Sequence, residues 1–161
     1  MRSERLQVPR AIAADAATIF GILRDPRGHV AIDSSGMLMR TTGDPVSAVG
    51  DTFVVHMNRE ALNDRPMGDY DVTVTITVYE PDREIAWIVA GATRPSAGHV
   101  FGYMLEPLDG TLVTTYYDWS AIAPAVKGAG IFPVLSEATL RATLGILARQ
   151  VEHGREPDHR P

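Results

Sequence analysis

The stretch that decides the fold is Pro133–Glu152, PVLSEATLRATLGILARQVE. Leu140, Leu144, Leu147 and Val151 recur at helical spacing and form one continuous apolar stripe. Ala138, Ala142 and Ala148 widen that stripe, while Glu137, Arg141, Arg149 and Glu152 mark a wet face. Pro133 suits a first turn, Ser136 is a second candidate cap, and Gly154 ends the pattern ahead of Pro157. The spacing predicts one uninterrupted helix over 134–152, a rod on the order of 30 Å long. Such a rod cannot bury its stripe alone. Residues 37–120 read almost throughout as β-strand, so the stripe is expected to lie on a sheet. It then serves either as plain core or as the roof of a cavity.

The clearest strand is Tyr70–Tyr79. Tyr70, Val72, Val74, Ile76 and Val78 take one face, and Asp71, Thr73, Thr75 and Thr77 the other. Glu80-Pro81-Asp82-Arg83 turns the chain into a strand over Glu84–Ala90. His99–Leu105 and Thr111–Ser120 form a hairpin across Glu106–Gly110. Upstream, Met37–Thr42 and Asp51–Asn58 are two more strands, and residues 59–69 are a polar loop. Leu6–Ile12 is a first strand, which Pro9 assigns to a sheet edge or a bulge. Asp15 caps a helix that buries Ala16, Ile19, Phe20 and Leu23 and stops at Asp25-Pro26. A second short helix spans Gly28–Asp33, and residues 121–132 are a connector. A run of strands bracketed by helices means α+β, not a βαβ repeat. One domain over 1–154 is expected, with 155–161 (REPDHRP) a disordered tail.

Composition narrows the class further. The 161 residues are 45% apolar and 22% charged, which is ordinary for a soluble globular domain. The formal charge of −5, with no Lys/Arg cluster, disfavours nucleic acid and anionic membranes. Without cysteine there are no disulfides, thiol nucleophiles or thiolate metal sites. No run reaches transmembrane length and the N-terminus lacks an apolar signal core, so membrane insertion is not expected and a cytoplasmic location is.

Particular motifs in this order carry a resemblance. They are Ile12–Pro26 (IAADAATIFGILRDP), Val49–Phe53 (VGDTF), Glu80-Pro81 with Ile85-Ala86-Trp87, Leu105-Glu106-Pro107 with Gly110-Thr111, and Tyr117-Asp118-Trp119-Ser120. Over about Leu6 to Val151 the chain resembles the START-like (SRPBCC) superfamily. That superfamily includes the birch-pollen-allergen fold, the polyketide cyclase/dehydrase group and lipid-transport domains. Ile32–Gly36 (IDSSG) is similar to the form common in uncharacterised actinobacterial members. The resemblance implies a helix-grip fold, a curved antiparallel sheet of about seven strands wrapped around a long C-terminal helix. Two short helices follow the first strand, and a cavity for an apolar small molecule lies between sheet and helix. In the aromatase/cyclase branch it implies cavity Arg, Tyr, Trp and Ser groups. Here a Trp and a Tyr match by strand face, whereas Arg10 and Arg40, the arginines inside predicted strands, have no assigned inward face.

Strand phase names the candidate lining. If Leu105 faces inward, so do Tyr103, Phe101 and His99; Thr111, Val113, Thr115, Tyr117 and Trp119 share a face, as do Ile85, Trp87 and Val89. The expected ligand-binding set is Trp87, His99, Phe101, Tyr103, Thr115, Tyr117 and Trp119, with Leu140 and Leu144 from the helix. The alternative is that these side chains simply fill the core. For catalysis the candidates are His99 or His56 as acid or base, with Tyr103 or Tyr117 as oxyanion donor. His29 and Asp33, four apart, read either as a base and its orienter or as a surface cap pair. Nucleophile-elbow, phosphate-loop and dinucleotide motifs are absent, Lys127–Gly130 reads as a flexible connector, and neither metal nor cofactor is expected. The leading expectation is binding of a hydrophobic small molecule (lipid, aromatic or polyketide-like) by a monomer or homodimer. The alternative is a polyketide aromatase/cyclase or dehydratase-like enzyme using a cavity His/Tyr pair.

Overall fold

A computed structural model describes residues 4–60, 63, 68–91, 97–128, 130 and 133–152. The expected tail, 155–161, lies outside the described residues. Seven strands form one antiparallel sheet: β1 (Arg5–Ile12), β2 (Leu38–Thr42), β3 (Thr52–Asn58), β4 (Asp69–Glu80), β5 (Glu84–Gly91), β6 (Val100–Leu108) and β7 (Gly110–Asp118). The helices are α1 (Ala16–Leu23), α2 (Pro26–Ala31), α3 (Pro124–Lys127) and α4 (Glu137–Glu152). Strand order is β1-β7-β6-β5-β4-β3-β2, so β1 lies on one edge and β2 on the other. Pro9 is therefore tolerated, since β1 pairs only with β7. With α4 gripped by this sheet, the fold is a helix-grip.

The helix that organises the chain is shorter than its spacing predicts. It begins at Glu137, not residue 134, because Ser136 takes the cap: its hydroxyl accepts from Thr139 N at 3.2 Å, and its carbonyl from Leu140 N at 3.1 Å. Leu140, Leu144, Leu147, Ala148 and Val151 are all buried in the core. A buried leucine contributes about 1.5–3 kcal/mol relative to an exposed one, so the stripe is the helix's main hold on the sheet. Hydrogen bonds fix both ends. Ala13 N donates to Glu152 Oε2 at 2.8 Å, and the Ser34 hydroxyl meets Thr139 O at 3.0 Å and Thr143 Oγ1 at 2.8 Å. α4 thus bridges the β1–α1 corner and the loop that follows α2.

Three more expectations are corrected. Asp25-Pro26 ends α1 but also starts α2: the Asp25 carboxylate accepts from Arg27 N and Pro26 occupies the first turn. In β4 the strict alternation breaks between Ile76 and Val78, where a bulge shifts the pairing with β5. Beyond that bulge Tyr79 faces the core, meeting Phe20 edge-on at 5.4 Å. The β6–β7 turn is far tighter than Glu106–Gly110, for Leu108 already pairs with Gly110, whose φ of 96° lets the chain reverse. The connector also contains α3, with Pro124 in its first turn.

Candidate functional site

The concave face of β5, β6 and β7 carries a row of aromatic rings. Trp87 stacks on Phe101 (6.0 Å), Phe101 on Tyr117 (4.7 Å) and Tyr117 on Trp119 (5.4 Å). Cross-strand register makes the row, since Trp87 pairs with Phe101 and Phe101 with Tyr117. Trp87 and Phe101, at one end of this row, line a cavity of about 280 Å³. Its sheet wall is Met57, Val72, Trp87, Phe101, Tyr103 and Thr115, with Val55, Tyr70, Val74 and Val89 beside them. Thr139, Leu140 and Thr143 of α4, with Val134 and Leu135 just ahead of it, form a second wall. A third wall comes from α2 and the loops: His29, Ile32, Asp33, Ser35, Met37 and Arg59.

Polar groups are a minority of this lining, and His99, Asp33 and Arg59 among them are anchored. His99, buried at 6% exposure, has Nδ1 2.7 Å from the Tyr117 hydroxyl. Val134 N–H also points at that phenolic oxygen, at 3.4 Å, so the phenol O–H is left to donate to His99 Nδ1. Burial lowers the His99 pKa to about 4 and raises those of Tyr117 and Tyr103 to about 12. All three are neutral at pH 7. The Asp33 carboxylate is spent on its own loop, accepting from Ser35 N and Oγ with one oxygen and from Gly36 N and Leu38 N with the other. Arg59 Nη1 reaches Met37 Sδ at 3.6 Å.

Of the candidate residues, Trp87, His99, Phe101, Tyr103, Thr115 and Leu140 line the cavity. Tyr117, Trp119 and Leu144 are buried core outside that lining, Tyr117 touching it through its bond to His99. His56 is a correction. Val55 takes the inward phase of β3, so His56 faces outward, with Nε2 2.7 Å from Thr42 Oγ1 and Nδ1 2.8 Å from Asp71 Oδ1. It cannot act as a cavity base from there. His29 and Asp33 do not pair: His29 Nε2 lies 2.9 Å from Leu23 O, and Asp33 holds the 35–38 turn. Both nonetheless line the cavity. Arg59, Thr139 and Thr143 are further lining groups that strand phase could not reach. For the two threonines, their place on the polar flank of the Leu140 stripe was a usable signal.

Fold and cavity together define a helix-grip protein with a largely apolar chamber between its sheet and its last helix. No family model matches the chain. An uncharacterized Mycobacterium tuberculosis protein is 29% identical over 152 residues, covering 89% of this chain and 62% of that protein. The chain thus spans less than two thirds of the length of the curated relatives it matches. Among solved structures, an AHSA1-like protein from Aeromonas hydrophila superposes with a TM-score of 0.59 at 20% identity, covering 98% of this chain and 99% of that one. DynU16, from the dynemicin biosynthetic locus, superposes at 0.61 with 17% identity, covering 95% of this chain and 49% of that one. At these identities the likeness is one of fold. Among the described residues no helix is long and apolar enough to cross a membrane.

Proposed function

We propose that the chain binds an apolar small molecule in the cavity between sheet and α4 and holds it without transforming it. The observation that carries this is the chamber itself, about 280 Å³ walled by aromatic and aliphatic side chains with a few anchored polar groups. Apolar wall left against water in such a space is unfavourable, and an apolar molecule that covers it gains the corresponding burial. The volume falls near the low end of known ligand pockets and is roughly twice that of a cavity that takes one benzene, so one or two fused rings fit. A location in a biosynthetic locus, as for DynU16, agrees with handling of such a molecule.

The enzymatic alternative draws on the His99–Tyr117 contact. Two facts weigh against it. An imidazole lowered to about 4 is a weak base at neutral pH, and a phenol raised to about 12 is a weak acid. Tyr117, the partner, also lies outside the lining. Native mass spectrometry of freshly purified protein, followed by titration with apolar aromatics, tests the proposal. The expected outcome is a co-purified molecule or saturable binding near 1 μM, about −8 kcal/mol, with no turnover. His99→Gln should weaken binding by about 1 kcal/mol. A loss of rate by about 10² to 10⁴-fold in that variant, with affinity kept, would instead establish the enzyme.

A further inference from the structure

His29 is fixed in the cavity wall by α2. Its Nε2 lies 2.9 Å from Leu23 O, and a carbonyl oxygen can only accept, so Nε2 carries the proton of the neutral ring. Nδ1 is left with a bare lone pair. No described residue donates to it, and among the described residues no buried side-chain nitrogen or oxygen lacks a partner. Nδ1 therefore keeps accessible surface, on a residue that lines the chamber. The ring stands edge-on to Trp87 at 4.7 Å and to Phe53 at 5.1 Å. Burial lowers its pKa, against the opposing pull of the Leu23 carbonyl and Asp25, which keeps it an acceptor rather than a cation.

An acceptor placed beside a flat aromatic wall discriminates among ligands. A ketone or ether oxygen would meet the lone pair with no hydrogen between them, whereas a hydroxyl would supply one. An anionic carboxylate would meet the same lone pair and the Asp33 carboxylate, although Arg59 on the lining offsets part of that charge. We infer that the cavity selects a neutral, planar hydroxyarene of one or two rings, which donates its O–H to His29 Nδ1 while its ring lies along Trp87 and Phe101. This rests on the cavity-binding reading above and adds to it the donor group that the ligand must carry.

The test is calorimetric titration with naphthalene, 2-naphthol, 2-methoxynaphthalene and 2-naphthoate, on the native chain and on His29→Phe, with circular dichroism as the check on folding. In the native chain 2-naphthol should bind roughly 3- to 10-fold more tightly than naphthalene or the methyl ether, the span of one net hydrogen bond. The naphthoate should be weakest, and His29→Phe should erase the preference for the naphthol. Should the variant fail to fold, the nitrogen NMR shift of His29 Nδ1 in the native chain decides. It must move on adding 2-naphthol and stay put with the ether; an unmoved shift overturns the assignment. Equal affinities for the three neutral compounds, or tightest binding of the naphthoate, overturn the hydroxyarene and leave cavity binding standing. Failure of all four to bind at millimolar concentration overturns both.

Discussion

His99 and Tyr117 show what burial does to a single pair of side chains. The imidazole is 6% exposed and the phenol fully enclosed, so each keeps its neutral form and each needs the other as partner. A consequence follows for stability against pH. The folded pKa of His99, about 4, lies below the ordinary 6.5 of the unfolded chain. Between those values the unfolded chain takes up a proton that the folded chain refuses. Stability is therefore complete above about 6.5 and falls as the pH drops towards 4, by at most on the order of 3 kcal/mol. His29, lowered in the same direction, adds to the same slope. Urea midpoints at pH 4.5 and 7 should differ less in His99→Gln than in the native chain; an identical difference would remove His99 from the effect. Tyr117→Phe leaves His99 Nδ1 and Val134 N–H without that hydroxyl and should cost about 1–3 kcal/mol, read from the same unfolding curves.

At the scale of elements, α2 and α4 each divide between packing and lining. Leu144 is fully buried and outside the cavity lining, whereas Leu140 lines it. Leu144→Ala should cost about 2–5 kcal/mol, and Leu140→Ala less, since one side of Leu140 already faces open space. Equal costs in denaturant titration would mean that the cavity is filled or closed in solution. Gly28 on α2 sits directly against the Ile22 carbonyl of α1, leaving no room for a methyl group. Gly28→Ala should push α2 off α1 and cost about 1–3 kcal/mol. Because His29 is the next residue, that variant should also weaken ligand binding. Undiminished stability and binding together would show that the α1–α2 contact does not set the position of His29.

For the whole molecule the sheet's edges matter as much as its face. β1 and β2 close the two ends of the strand order, and α1 and α2 carry the chain from one edge to the other. That crossing delivers His29, Asp33 and Ser35 to a chamber whose sheet wall comes from β2 to β7. Occupancy should stabilise the fold as a unit. At a ligand concentration of 100 times Kd the gain is about 2.7 kcal/mol, or roughly 5–10 °C in Tm for a domain of this size. Trp87 lines the cavity and Trp119 does not, so a quenching ligand should report through the first. Trp87→Phe should abolish most of the quenching and Trp119→Phe should leave it. The reverse result would move the binding site to the far end of the aromatic row.

Periodicity by itself determined the architecture. The stripe Leu140-Leu144-Leu147-Val151 demanded an apolar partner, and alternation in β4 to β7 supplied the sheet and the inward phase of Trp87, Phe101, Tyr103 and Thr115. Such signals are legible because burial repeats at the pitch of each element. Three things were not periodic. The bulge after Ile76 inserts one residue and turns Tyr79 inward, with nothing in the alternating run to announce it. Ser136 won the cap over Pro133 because its hydroxyl and carbonyl could both reach the first turn. His29 on the short α2, and Asp33 and Arg59 in loops, have no long repeating phase, and their place in the lining depends on how α2 and the strand ends close over the sheet. The chain's local patterns thus chose the strands and the helix, while only the tertiary structure decided which polar atoms face the space between them, because that follows from contacts between segments far apart in sequence.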